Sequence, residues 1–138
     1  MRWRESWSEE WRVPSRERVE AFIAAVVGGD QVRAIADYYH EAASMQENLQ
    51  PPRQGRALLM AHEAKVLERM KMYTHPQPLF LVDGNHVVIN WTFDATGKDG
   101  VTRRLNELAL QRWDGDRIAE ERFVYDSASA WTVVEKTA

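Results

Sequence analysis

Apolar residues recur at Val19, Phe22, Ile23, Val26 and Val27, the i, i+3, i+4, i+7, i+8 spacing of one helical face. Ser15 stands at the N-cap position with Pro14 just outside, and Gly28-Gly29 ends the run. Asp30 is placed to cap a second, shorter helix, in which Val32, Ile35, Ala36 and Tyr39 continue the spacing. Gly55 precedes a third helix over about 56–71, with Leu59, His62, Val66 and Met70 on one stripe. Upstream, Trp3, Trp7 and Trp11 fall at steps of four, a further helical stripe that Val13-Pro14 closes. Between the second and third helices a polar stretch, His40 to Gln54, holds Pro51-Pro52 and one short strand around Ser44–Asn48.

From Tyr73 onward the period changes to two. The turn signals Asp83-Gly84-Asn85, Gly97-Lys98-Asp99-Gly100 and Asp114-Gly115-Asp116 separate four strand-length segments, which predicts an antiparallel meander. Val87, Ile89, Trp91 and Phe93 alternate with Val88, Asn90, Thr92 and Asp94. After Ser127 the chain is short enough to add only an edge or a tail. Helices first and a meander after predict an α+β fold, three N-terminal helices packed on a curved, mostly antiparallel sheet. The expected organisation is a Trp-rich extension over 1–14 and a single domain over 15–138.

The chain of 138 residues has the size of one domain, and 44% hydrophobic with 28% charged residues lies in the globular range. Its 18 Lys and Arg against 21 Asp and Glu give a net charge of −3, which argues against a nucleic-acid partner. The only tight basic cluster beyond the N-terminus is Arg103-Arg104. Cysteine is absent, so no disulfide, thiolate nucleophile or Cys-ligated zinc can form. No apolar run reaches the roughly 20 residues of a membrane span, and the first residues are too polar for a signal peptide. A cytoplasmic protein without a membrane partner is the expectation.

Several chemistries fail on spacing. His40-Glu41 and His62-Glu63 would each need a second His four residues on, where Ser44 and Val66 stand. There is no Gly-rich phosphate cradle and no G-x-S-x-G elbow. No metal ligand set and no cofactor is therefore expected.

The order VEAFIAAVVGGDQVRAIADYYHEAASMQE, then PPRQGR, then WDGDRIAEERFVYD resembles the nuclear transport factor 2-like superfamily over about residues 15–127. That superfamily includes the SnoaL-like polyketide cyclases, the ketosteroid isomerases and the limonene-epoxide hydrolases. The resemblance implies a cone-shaped sheet enclosing a pocket that the helices close, and a homodimer formed through the sheet. Against the isomerases, Glu47 falls at the carboxylate general base, Phe22 at the oxyanion-binding tyrosine, and Glu107 near the protonated acid donor. Against the epoxide hydrolases, the Arg and two Asp fall on Asn90, Thr92 and Phe123, and the water-holding Tyr and Asn fall on Met45 and Glu47. The epoxide mechanism thus loses every charged member.

The residues add their own readings. Met45 and Glu47 share one strand face, so a carboxylate beside apolar walls becomes a candidate base with a raised pKa. His62 interrupts an apolar helical stripe, either as a core histidine or as a pocket group, with Val66 one turn further on the same wall. Glu107 lies between Leu105 and Ala109 on one face, which suggests burial, a pocket role or pairing with Arg56 or Arg122. Tyr125 shares a face with Phe123 and can offer a hydroxyl. For the strand after Asn85, hydrophobicity alone sends Val87, Ile89, Trp91 and Phe93 to the core. The superfamily register instead turns Asn90, Thr92 and Asp94 into the pocket and buries the apolar row, with Leu108 and Leu110, in a dimer. The second register is the one expected here.

The candidate catalytic residues are therefore Glu47, His62 and Glu107, and the candidate ligand-binding residues are Phe22, Met45, Val66, Asn90, Thr92, Asp94, Phe123 and Tyr125. The expected partner is a small apolar ligand or substrate. Two functions fit: an isomerase or cyclase (with lyase or hydrolase chemistry as its neighbours) that abstracts a proton next to a carbonyl, or a non-catalytic ligand-binding or dimerisation module.

Overall fold

The computed structural model describes residues 12–134, so the Trp3-Trp7-Trp11 stripe lies outside the described residues. Helix α1 spans Arg16–Val27; Ser15 Oγ accepts from the Arg18 N–H at 3.1 Å and Gly28 caps the other end. Its apolar face buries Val19, Phe22, Ile23 and Val26. Phe22 anchors it to the sheet, with the rings of Tyr38, Tyr39, Trp91 and Trp113 set edge-on at 5.4–6.4 Å. Helix α2 spans Gln31–Tyr38, where Asp30 Oδ1 accepts from the Arg33 N–H at 3.0 Å. Helix α3, Arg56–Arg69, follows Gly55, whose φ of +99° suits a residue without Cβ. It stops at Arg69 because Met70 already starts a strand.

The strands are β1 (Tyr39–Glu47), β2 (Arg53–Gln54), β3 (Met70–Thr74), β4 (Phe80–Asp83), β5 (His86–Gly97), β6 (Thr102–Asp114), β7 (Arg117–Val124) and β8 (Thr132–Val133). The sheet runs β2-β1-β7-β6-β5-β3, with β4 also on β5 and β8 on β6. Only β1–β7 is parallel, so the three helices pack on a curled, mostly antiparallel sheet, an α+β half-barrel.

Three details depart from the sequence pattern. The strand expected at Ser44–Asn48 starts five residues earlier, at Tyr39, because Tyr39 and Ala43 are buried and β7 supplies its backbone partner. The first segment of the meander is two strands, β3 and β4, both on β5. Pro76 and Pro78 between them have no N–H to give a ladder. The chain after Ser127 adds an edge, β8.

The register of β5 is the main correction. Val87, Ile89 and Trp91 are buried on the concave face under the helices, and Asn90, Thr92 and Asp94 lie on the convex face. There Asn106 Nδ2 donates to Asn90 Oδ1 and to Thr92 Oγ1, each at 3.0 Å. Asp94 is held by Arg104 at 2.7 and 3.0 Å and by His75 at 2.8 Å, and the Arg104 hydrogen bonds above all pull its pKa down to about 2. Burying the large apolar row stabilises the fold by roughly 1.5–3 kcal/mol per side chain, while the polar row meets its partners at the surface. Hydrophobic alternation therefore wins over the superfamily register.

Candidate functional site

The concave face and the three helices enclose a cavity of about 310 Å³. Phe22, Val26, Ala34 and Ile35 of the first two helices close one side; Trp91, Phe93, Leu105 and Phe123 form the sheet wall. Phe22, Met45, Glu47, His62, Val66, Glu107, Phe123 and Tyr125, all expected from sequence, line this one space. Asn90, Thr92 and Asp94 do not, because they stand on the other face of β5.

Glu47 is the last residue of β1, opposite Phe123 of the parallel strand β7. Strand alternation turns Met45 and Glu47 inward, whereas Gln46 bonds the Gln50 carbonyl outside. Asn48, at φ 49°, locks the junction: its N–H donates to Phe123 O at 2.7 Å and its Oδ1 accepts from the Tyr125 N–H at 2.9 Å. This clamp sets the Tyr125 hydroxyl against the Glu47 carboxylate, and burial foremost raises the Tyr125 pKa. Arg53 Nη2 lies 3.4 Å from Glu47 Oε1, and the Glu47 side chain keeps 31% exposure, at the open side of the cavity.

Glu107 faces inward from the middle of β6, opposite Trp91. It is 6% exposed and forms no hydrogen bond or ion pair among the described residues. Pairing with Arg56 or Arg122 does not occur: Arg56 donates to the Tyr39 carbonyl at 3.1 Å, and Arg122 Nε has no partner. Burial first, then the charges of Glu47, Glu121 and Glu63, pushes Glu107 up to about 9, so it is a neutral acid at pH 7.

Among the lining residues not expected from sequence are the polar Arg53, Glu63 and Glu121 and the late Trp131. Glu121 is 3% exposed; Gln111 Nε2 donates to its Oε2 at 2.6 Å and the Tyr39 hydroxyl donates to its Oε1. The Trp113 Nε1–H in turn donates to Gln111 Oε1 at 2.9 Å. Burial raises Glu121 to about 7 against the pull of these two donors. Extending the Tyr125–Phe123 face by one more alternation reaches Glu121, so a signal existed. Glu63, beside His62 on α3, is raised mainly by burial, and His62 is lowered mainly by burial and then by Arg53. Trp131, at φ 59°, folds back from the edge strand and has no periodic signature.

Among the described residues no three His, Asp or Glu side chains are placed to hold a metal ion, and no helix is long and apolar enough to cross a membrane. A cavity with apolar walls into which Glu47, Glu63, Glu107 and Glu121 converge defines a small-molecule pocket protein of the cone-shaped α+β class. The chain belongs to the SnoaL-like domain family, whose model matches residues 19–121.

Solved structures agree on the fold. A candidate polyketide cyclase from Pseudomonas putida superposes with a TM-score of 0.71 at 19% identity, covering 86% of this chain and 96% of its own. A protein with a ketosteroid isomerase-like fold from Catenulispora acidiphila, in complex with trimethylamine, gives 0.69 at 18% identity over 84% and 90%. A candidate SnoaL-like polyketide cyclase from Mesorhizobium loti gives 0.67 at 22% identity over 79% and 97%. Among curated proteins none matches the chain.

Proposed function

We propose that this protein is a cofactor-independent isomerase or cyclase that removes a proton from carbon next to a carbonyl of an apolar small molecule. The observation that carries this is the contrast between two carboxyls of one cavity. Glu47 sits at the open side beside a guanidinium, and Glu107 is buried and holds its proton to about pH 9. An accessible carboxyl beside a guanidinium and a buried carboxyl that keeps its proton supply a base and an acid at once.

In this mechanism Glu47 takes the α-proton and the electron pair of the broken C–H bond moves onto the carbonyl oxygen. Glu107 donates a hydrogen bond, or its proton, to that developing oxyanion, the role that Phe22 cannot fill. Returning a proton to a different carbon completes an isomerisation; attack of the enolate on a second carbonyl completes a cyclisation. Tyr125 positions Glu47, and His62, whose pKa is lowered by burial first and then by Arg53, does not serve as a cationic donor.

The protein is proposed to act as a cytoplasmic homodimer through the convex face of the sheet. The apolar surface there is Leu81, Val88, Leu108, Leu110 and Val124, cross-strand neighbours, in place of the Ile89, Trp91 and Phe93 row that the core takes. The lack of cysteine suits a reducing compartment.

The test is exchange of α-protons in deuterated buffer, followed by nuclear magnetic resonance on a neutral aryl ketone such as 3,3-dimethyl-1-phenylbutan-1-one. The protein should accelerate exchange, and Glu47→Gln should reduce it by about 10²–10⁴-fold with the fold retained. Equal exchange by Glu47→Gln and the parent chain would leave a non-catalytic binding module as the better reading.

A further inference from the structure

The cavity has more acid than proton transfer requires. Glu47, Glu63, Glu107 and Glu121 all line it, against the single guanidinium of Arg53, which faces Glu47. Glu107, buried to nine-tenths and without a partner among the described residues, is aimed into the same space and can bond a bound molecule there. The remaining wall is aromatic, and Trp91 stacks on Phe93 with centroids 5.6 Å apart and planes 29° apart.

We infer that the substrate is cationic: an apolar carbonyl compound that also carries a protonated or alkylated amine. This deepens the reading given above and rests on it for the carbonyl. Glu47 and Glu107 are taken by the α-proton and the carbonyl oxygen. Glu63 and Glu121 remain to balance an ammonium, and the aromatic rings of the cavity wall, Phe93 and Phe123 among them, attract a cation by their quadrupoles. An anionic substrate would meet three further carboxyls against one guanidinium, whose Nη2 already faces Glu47 and whose buried Nε has no partner among the described residues. A neutral one would leave two acids in the wall without a counter-ion.

Binding a cation beside acids held partly protonated favours their charged form, so it releases protons. Glu121, raised to about 7 with Glu47 and Glu63 bearing on it, is the group poised to do so at neutral pH.

The experiment compares three phenyl ketones of similar shape on the full chain by calorimetry and tryptophan quenching. They are phenacyltrimethylammonium, its neutral carbon isostere 3,3-dimethyl-1-phenylbutan-1-one, and the anion 3-benzoylpropionate. The cation should bind at least about tenfold more tightly than the isostere, a gap of about 1.4 kcal/mol, and the anion more weakly than both. Calorimetry in buffers of different ionisation heat should show proton release for the cation alone. Glu121→Gln should narrow the gap between cation and isostere; if that variant fails to fold, Glu63→Gln on α3 carries the same comparison. Equal affinity for cation and isostere, or tighter binding of the anion, overturns the inference. If the isostere binds and exchanges its α-protons without any advantage for the cation, only the charge inference falls. If the cation binds preferentially and no α-proton exchanges in either ketone, only the proton-transfer reading falls.

Discussion

Trp91 and Glu107 stand directly opposite each other across the β5–β6 ladder, both turned to the concave face of the sheet. Glu107 is buried there and no donor or cation among the described residues compensates it, so the neutral acid is the stable form. An apolar wall and a proton-donating group are thus produced by the same cross-strand pair.

That arrangement costs stability as pH rises. Glu107 holds its proton to about 9 in the folded chain against an ordinary value of 4.5. Its stabilising contribution is fully present below about pH 4.5 and is lost progressively as pH rises through 9. Glu107→Gln should remove a slope of up to about 1.4 kcal/mol per pH unit in that window and raise Tm at pH 8.5. Thermal unfolding across pH 5–9 measures it; an unchanged slope would mean that Glu107 ionises freely.

The same group should set the alkaline limb of any proton-transfer activity. Exchange should decline as pH passes about 9, because the acid that supports the oxyanion is then a carboxylate. The limb should vanish in Glu107→Gln, together with a lower plateau. A limb that persists in the variant points to another donor.

Tyr39→Phe removes one of two hydrogen bonds to the buried Glu121. That bond favours the charged form, so Glu121 should titrate above its present value of about 7 in the variant. The lost bond should cost about 1–3 kcal/mol. Carboxyl carbon-13 titration with denaturant unfolding reads both quantities, and a downward shift would contradict the geometry.

Asn48→Ala deletes the acceptor that ties Tyr125 to the end of β1 and leaves a non-glycine residue at φ 49°. Any proton-transfer rate should fall about tenfold or more through misplacement of Glu47. Asn48→Gly, which tolerates the backbone, should lose the tie with less strain and so separate positioning from folding. Equal activity in both variants and the parent would dismiss the clamp.

Leu108→Asp with Leu110→Asp places two charges in the exposed convex patch without touching the cavity. Light scattering should shift from dimer to monomer while Tm changes little. A monomeric parent chain would remove the proposed interface.

Short-range physics made much of this molecule legible in its sequence. Ser15, Asp30 and the paired glycines mark helix ends because capping is local, and the i, i+3, i+4 run selects the face that Phe22 buries. The alternation of Met45 with Glu47 and of Leu105 with Glu107 turned two of the cavity acids inward, since strand faces alternate whatever the partner. The parallel β1–β7 pairing was decided only in three dimensions, because its two strands lie some 75 residues apart and β1 has no β-branched residue. The side on which β5 presents Trp91 was also settled by tertiary structure, through helices that cover the concave face and partners that await Asn90, Thr92 and Asp94 on the convex one. Whether Glu107 would be paired, and that Glu121 would join it, depended on which cations the folded chain brings within reach. Sequence carries the charges, but their distances, and so the protonation states that define this site, come from packing.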